Sequence, residues 1–577
     1  MRKSLPYFIL LIISVFFLLF FSLWTSPFYE HWYGCDCSFF SMVGRGITEG
    51  MVPYRDFFDL KGPYFFFIEA LGQLIHRDRL GVYLIQIPFM WVSLILVMKL
   101  SGLYLSKAKS IAVMLIFLFC HISTIWGGNT LEEYMLPVNL LVIYLTVRHL
   151  KLHPLKSDSL PFYIPLITGI CFGIMLFAKV TIAAPIMGVC MGIFISLLAY
   201  KRYRELLYYI IYFILGVLLA TVPVFIYFSL HDSLLTMLYC VFEFAFKRSV
   251  DFSDPFSIKW ELKLTACFLG FFTAVLHIPL SEVFQRKTGT ASLNTKTDSL
   301  DTEPDSGEQS PLPSENLYNK QIPGQNLKNQ KDITSEDHKN SAANDREPEY
   351  SIKYALGRAE RWMRKKNTEK KTPSLPIELC LILIFMSLIT YILLHLGNPW
   401  IYYFITAEPV LVLACVMLFY MYDPLILFSS VREGICLITL GVYIFYFGSC
   451  SMDTIQTFIY DHGNQYYAEY YNDAQNIALL IPEMERDSVF SFDIDMTFFE
   501  AVQIMPCYKY QINLQFFIAL EPSIQDEIME YFDKTPPKWM IISETLDQYL
   551  PDIYNMMMEK YHCLYFNSAG CLYVLNE

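Results

Sequence analysis

Apolar stretches of about 20 residues, separated by short polar connectors, make up most of this chain. The first runs from Leu5 to Trp24, behind Arg2 and Lys3. It is long enough to cross a bilayer, and no small-residue cleavage pattern follows it, so it is expected to be an uncleaved first span. Further runs lie near residues 82–105, 110–126, 134–150, 161–178, 181–200, 206–230, 263–283, 375–396, 403–421 and 432–450. The pattern therefore predicts a multi-pass α-helical membrane protein with about 11 transmembrane helices.

The pattern breaks in two places. Residues 286–372 are polar, poor in aliphatics and rich in Ser, Asn, Asp and Pro. Such a segment buries too little apolar surface to offset chain entropy, and it is expected to be a disordered cytoplasmic insert. It divides a core at 1–285 from the remaining transmembrane helices at 373–450. Residues 451–577 read as a soluble α/β domain. "ERDSVFSFDID" and "PKWMIISE" predict strands, "YAEYYNDAQNIALLI" and "IQDEIMEYF" predict helices, and "CLYFNSAGCLYVL" predicts a hairpin turning at Asn567–Gly570.

Composition supports this class: 54% of the 577 residues are hydrophobic and only 17% charged. Charge adds an orientation. Lys107 and Lys109, then Arg148, Lys151 and Lys156, then Lys201, Arg202 and Arg204, and the cluster "RWMRKKNTEKK" all fall on the side of Arg2 and Lys3. By the positive-inside rule the N-terminus is cytoplasmic, and an odd number of spans places the C-terminal domain outside. That domain carries 20 acidic against 5 basic residues, a net charge of −15 where the whole chain has −12. Such a surface excludes nucleic acid as its direct partner. Most of the 14 cysteines fall in apparent spans, where cysteine acts as a small hydrophobe.

On this topology the first loop, residues 27–81, is extracytoplasmic, and it carries the densest candidate chemistry. Asp36 sits in "YGCDCSFF"; Asp56 and Asp59 are three apart in "YRDFFDLKGP" and would share a face on a helix; Lys61 precedes the short apolar run "GPYFFFIEALGQLI". That run is too short to span and predicts an interfacial or re-entrant helix containing Glu69. Glu132 and Glu133 in "WGGNTLEEYMLP", Lys179 in "LFAKVTIAAP", and His395 and Glu408 in "HLGNPWIYYFITAEPV" fall on the same outer face. A carboxylate there could take a proton from an acceptor hydroxyl, while lysines stabilise a departing phosphate beside the bilayer.

The order Asp36, Arg45, Gly50 to Pro53 and Lys61-Gly62-Pro63 resembles the first-loop signature of the GT-C glycosyltransferases of family 39. That family includes the protein O-mannosyltransferases and the lipid A aminoarabinose transferase; the form here is similar to a bacterial branch of it. The resemblance implies a membrane transferase that moves a sugar, of hexose or mannose type, from a polyprenyl-phosphate donor to an extracytoplasmic envelope acceptor with inversion. It makes Asp36 the catalytic carboxylate. Arg45, Lys61 and Lys179 hold the donor phosphate, and Asp56, Asp59, Glu132 and Glu133 line the substrate cavity. No organic cofactor is implied, and a divalent cation is left open. One departure stands out: Cys37 replaces the Glu that follows the Asp in many relatives. The rival readings are a flippase for lipid-linked glycan and a non-catalytic assembly protein on the same scaffold. A transporter would place its charges near the midplane, whereas here they crowd the helix ends.

Overall fold

The computed structural model describes residues 4–29, 31, 33–249, 258–278, 375–396, 400–421, 431–461, 466–492, 494–512, 514–543 and 546–576. The insert expected at 286–372 lies outside these residues.

Eight helices among the described residues are long and apolar enough to cross a membrane. They are α4 (Arg79–Ser101), α5 (Lys107–Thr124), α6 (Leu131–Leu152), Val180–Ala199, α9 (Tyr203–Leu230), Ile377–Leu394, Ile401–Met421 and Gly434–Gln456. Three more of the apolar runs hold α1 (Leu5–Phe21), α7 (Tyr163–Leu176) and the helix Ile258–His277. A bilayer supplies no water for stray backbone groups, so continuous helix is the form these runs must take. Pro88, Pro137 and Pro223 lie inside α4, α6 and α9, where neighbouring helices accommodate them.

The first loop folds into two short helices, α2 (Cys35–Thr48) and α3 (Pro63–Ile75). At 13 residues α3 is too short to cross a bilayer, as the sequence predicts. The two helices pack closely because Gly44 has no side chain: a Cβ there would lie 2.7 Å from the Glu69 backbone carbonyl carbon. Residues 51–62, between α2 and α3, are irregular rather than helical. Pro53 and Tyr54, the latter at φ +67°, break any helix, so Asp56 and Asp59 share no helical face.

The C-terminal α/β domain has a four-stranded sheet in the order β1-β2-β4-β3. The strands are β1 (Val489–Phe492), β2 (Trp539–Ile542), β3 (Tyr561–Asn567) and β4 (Gly570–Leu575). β1 and β2 run parallel, with Val489 opposite Trp539, and both are buried along their whole length. That explains why they read as unbroken apolar runs rather than alternating ones. β3 and β4 form the predicted hairpin, with Asn567 paired to Gly570. Gly570 takes φ +142°, which a side chain would resist.

Candidate active site

Two chain segments cross where the first loop meets the end of α7. The Gly62 N–H donates to the Ala178 carbonyl at 2.8 Å, and a Cβ on Gly62 would lie 2.0 Å from the Phe177 carbonyl oxygen. The residue next to each partner is a lysine, so the crossing brings Lys61 and Lys179 to one place. Lys61 Nζ sits 3.7 Å from Asp59 Oδ2 and 4.4 Å from the centre of the Phe40 ring. Asp59 also accepts from the Leu60 N–H at 2.7 Å. Lys179 Nζ donates to Glu132 Oε1 at 2.9 Å and lies 3.1 Å from the centre of the Tyr403 ring.

Asp36 lies in the first turn of α2 and is half-buried. Phe40 is one helical turn further on, so the ring under Lys61 lies on the same face of α2 as Asp36. Tyr402 completes the link, within electrostatic reach of both Asp36 and Glu132. A chain of contacts thus links Asp36, Asp59, Lys61, Glu132 and Lys179, drawn from three regions of the sequence, with Tyr402 and Tyr403 beside them.

Three residues expected here lie elsewhere. Arg45 is 3% exposed and is engaged by the C-terminal domain: its Nη1 donates to Gln503 Oε1 and lies 3.7 Å from Glu500 Oε2. No local pattern could show that a segment 458 residues away covers it. Asp56 closes a turn, accepting from the Val52 N–H at 2.6 Å and from Arg55 Nη2 at 2.8 Å. Burial alone would raise its carboxyl, but the Arg55 guanidinium and the Val52 N–H outweigh that and hold it below the usual carboxylate range. Glu133 points away from Glu132 into the helical bundle, since neighbours on a helix face different sides. It accepts from Gln86 Nε2 at 3.1 Å and from the Thr130 N–H at 3.3 Å, capping α6.

Sequence reasoning named Glu408 but missed its buried partner, His121. His121 Nδ1 lies 3.1 Å from Glu408 Oε2, and Thr124 Oγ1 donates to Glu408 Oε1 at 2.9 Å. A lone histidine in the apolar run "FLFCHIST" was the available signal, because polar groups inside a membrane bundle need partners. His395, placed at the same turn by sequence, has its Nδ1 2.7 Å from the Tyr391 carbonyl oxygen one helical turn back. Among the described residues no group of three His, Cys, Asp or Glu side chains is arranged to hold a metal ion. Cys37 is buried, and Asn129 Nδ2 donates to its sulfur at 3.3 Å.

Glu69 is fully buried under α2, with Asn129, Cys37, Tyr134 and Glu500 as its polar neighbours. Burial pushes its carboxyl up to about 8, Glu500 adds to the rise, and Asn129 opposes it. The folded state therefore holds a proton that the unfolded chain releases near pH 4.5. Stability from this group is complete below that pH and falls as pH rises to about 8. At pH 7 the cost is on the order of 3 kcal/mol. Glu69→Gln is expected to melt higher than wild type at pH 8, with the gap closing toward pH 5. Thermal melts of the two detergent-purified proteins across that range check it, and a gap independent of pH would count against the buried proton.

The fold is a multi-pass helical bundle, a first loop folded as α2 and α3, and a C-terminal α/β domain that meets α2. Neither family models nor curated proteins give a match to the chain. Among solved structures it is similar to ArnT from Cupriavidus metallidurans bound to undecaprenyl phosphate, with TM-score 0.53 and 12% identity over 98% of each chain. The archaeal oligosaccharyltransferase AglB from Archaeoglobus fulgidus, in complex with an inhibitory peptide and a dolichol-phosphate, gives TM-score 0.44 and 12% identity, covering all of this chain and 75% of that one.

Proposed function

We propose that this chain is a membrane glycosyltransferase that moves a sugar from a polyprenyl-phosphate carrier to an extracytoplasmic envelope acceptor. The observation that carries the reading is the Gly62–Ala178 crossing, which brings the backbones next to Lys61 and Lys179 together, with Lys179 on Glu132 and Lys61 over Phe40 on the Asp36 face of α2. Two cations beside carboxylates, at the end of a membrane bundle, suit a lipid phosphate as leaving group. The solved ArnT structure of the same fold, bound to undecaprenyl phosphate, supports the same carrier class.

In this reading Asp36 accepts the proton of the acceptor hydroxyl as its oxygen attacks the anomeric carbon. The bond from that carbon to the phosphate oxygen breaks, and the lipid phosphate leaves toward Lys61 and Lys179. Attack opposite the leaving group inverts the anomeric centre. Glu132, held by Lys179, and Asp59, held by Lys61, shape the sugar side of the cavity. Arg45 is left out of phosphate binding because the C-terminal domain covers it.

The test supplies purified protein with a panel of polyprenyl-phosphate sugars, hexoses of the mannosyl kind first, together with extracted envelope. Consumption of one donor with sugar appearing on an acceptor is the expected result. Folded protein that turns over no donor would overturn the reading in favour of a non-catalytic assembly protein. The siting also requires the C-terminal domain to be extracytoplasmic, so a tag at residue 577 that labels only from the cytoplasm would overturn it as well.

A further inference from the structure

A single strip of the C-terminal domain holds both ends of the helix that carries Asp36. At its start, Cys35 faces the Asp495 side chain and the Met496 backbone. Asp495 Oδ1 in turn accepts from the Thr497 N–H at 2.9 Å, opening the short helix Thr497–Val502 that packs against α2. At its end, Arg45 meets Gln503 and Glu500 from that same short helix. Gln503 is fixed in turn: it takes the left-handed conformation at φ +55°, and its Nε2 donates to the Glu500 carbonyl at 2.7 Å. Gly46 lies against Met505, with room for no Cβ beside the Phe57 ring. Glu500 is 3% exposed and Arg45 equally so.

This burial is costly. An arginine and a carboxylate under a domain contact lose solvation that only good pairing offsets, and an apolar pair would hold two surfaces together at least as well. What the charged pair adds is direction. A guanidinium gripped by an amide and a carboxylate fixes the rotation and axial position of α2, not merely its proximity. Asp36 lies nine residues before Arg45 on that rigid helix, between the two gripped ends.

Resting on the transferase reading above, we infer that Glu500 and Gln503 are positioning residues: through Arg45 they set the orientation of α2 and thereby the aim of Asp36. The C-terminal domain is then part of the catalytic apparatus and not an accessory recognition module. Lys247 and Glu521, paired at 2.7 Å, also join the C-terminal domain to the bundle but lie off α2, and they serve as the control.

The experiment uses full-length protein with whichever donor the panel identifies. Glu500→Ala is expected to lower kcat by ~10–100-fold while KM for the donor stays within about threefold, since a misplacement of an ångström costs on that order without removing any substrate contact. Glu500→Gln, which keeps a polar side chain of the same shape beside Arg45, should recover most of that loss. Arg45→Ala combined with Glu500→Ala should be no slower than the worse single variant, the non-additivity of a shared path. Glu521→Ala should match wild type. Wild-type kcat in Glu500→Ala, or losses that simply add in the double variant, would overturn the inference.

A second readout needs neither turnover nor the harsher variant. Maleimide labelling at Cys35, followed by mass spectrometry in the milder Gln503→Ala protein, reports whether the strip lets go of α2. A several-fold faster labelling than in wild type is expected, and an unchanged rate would overturn the clamp. If folded wild type turns over no donor, the transferase reading fails by itself, and the labelling result still decides the clamp.

Discussion

Protein carrying Asp36→Asn is expected to turn over its donor ~10²–10⁴-fold more slowly than wild type, the usual worth of a positioned general base. The substitution keeps the shape of the side chain and a hydrogen-bonding oxygen, and removes only the capacity to take a proton. Asp36 lies in the first turn of α2, where the helix end carries partial positive charge that attracts a negative side chain. An amide there forfeits that small electrostatic gain and little else, so the melting temperature should move by a degree or two, no more. Glu49→Gln is the matched control from the same loop: its carboxylate is solvent-facing and sits 3.6 Å from Arg77. Steady-state turnover of the three proteins, with melts of each, checks the expectation. An Asp36→Asn enzyme as fast as wild type would take the base away from this position.

Gly62→Ala is expected to be among the most damaging single-methyl additions at the described glycines. The added Cβ would sit 2.0 Å from the Phe177 carbonyl oxygen, against backbone that has no rotamer to change. Relieving that overlap means parting the two segments, which breaks the Gly62–Ala178 hydrogen bond and separates Lys61 from Lys179. Strain of this kind in a close backbone crossing costs on the order of 4 kcal/mol, enough to leave a marginal protein partly unfolded. Where the variant can still be purified, both its melting temperature and its turnover should fall, the latter because on the proposed reading Lys61 and Lys179 act together on the donor. Retention of both would mean the crossing is looser than its geometry.

Much of this was legible in the sequence. Runs of about 20 apolar residues leave a helix little alternative in a bilayer, and the short run after Pro63 declared by its length that it could not span. The buried strands β1 and β2 and the hairpin at Asn567–Gly570 were equally plain, because turn chemistry and strand burial are local matters. Asp36, Lys61, Glu132 and Lys179 were picked out by type and topology. What could not be read was direction and distant contact. Glu132 and Glu133 look equivalent as letters, yet one turns to Lys179 and the other to Gln86. Asp56 and Asp59 invite a helical face that Pro53 and Tyr54 forbid. Arg45 belongs to the signature of its loop, but its partners come from the far end of the chain.

That distance has a consequence for how the molecule comes into being. The sheet of the C-terminal domain is closed by β4, which lies between β2 and β3 although it leaves the ribosome after both. Until residue 570 has emerged, β3 has no neighbour and β2 lacks one side. The strip that packs against α2 follows directly after β1 of this sheet, while α2 itself is made near the beginning of synthesis. A nascent chain thus carries α2 through most of translation without the strip that later packs against it, so any function that depends on that packing arises only once the last strands are made.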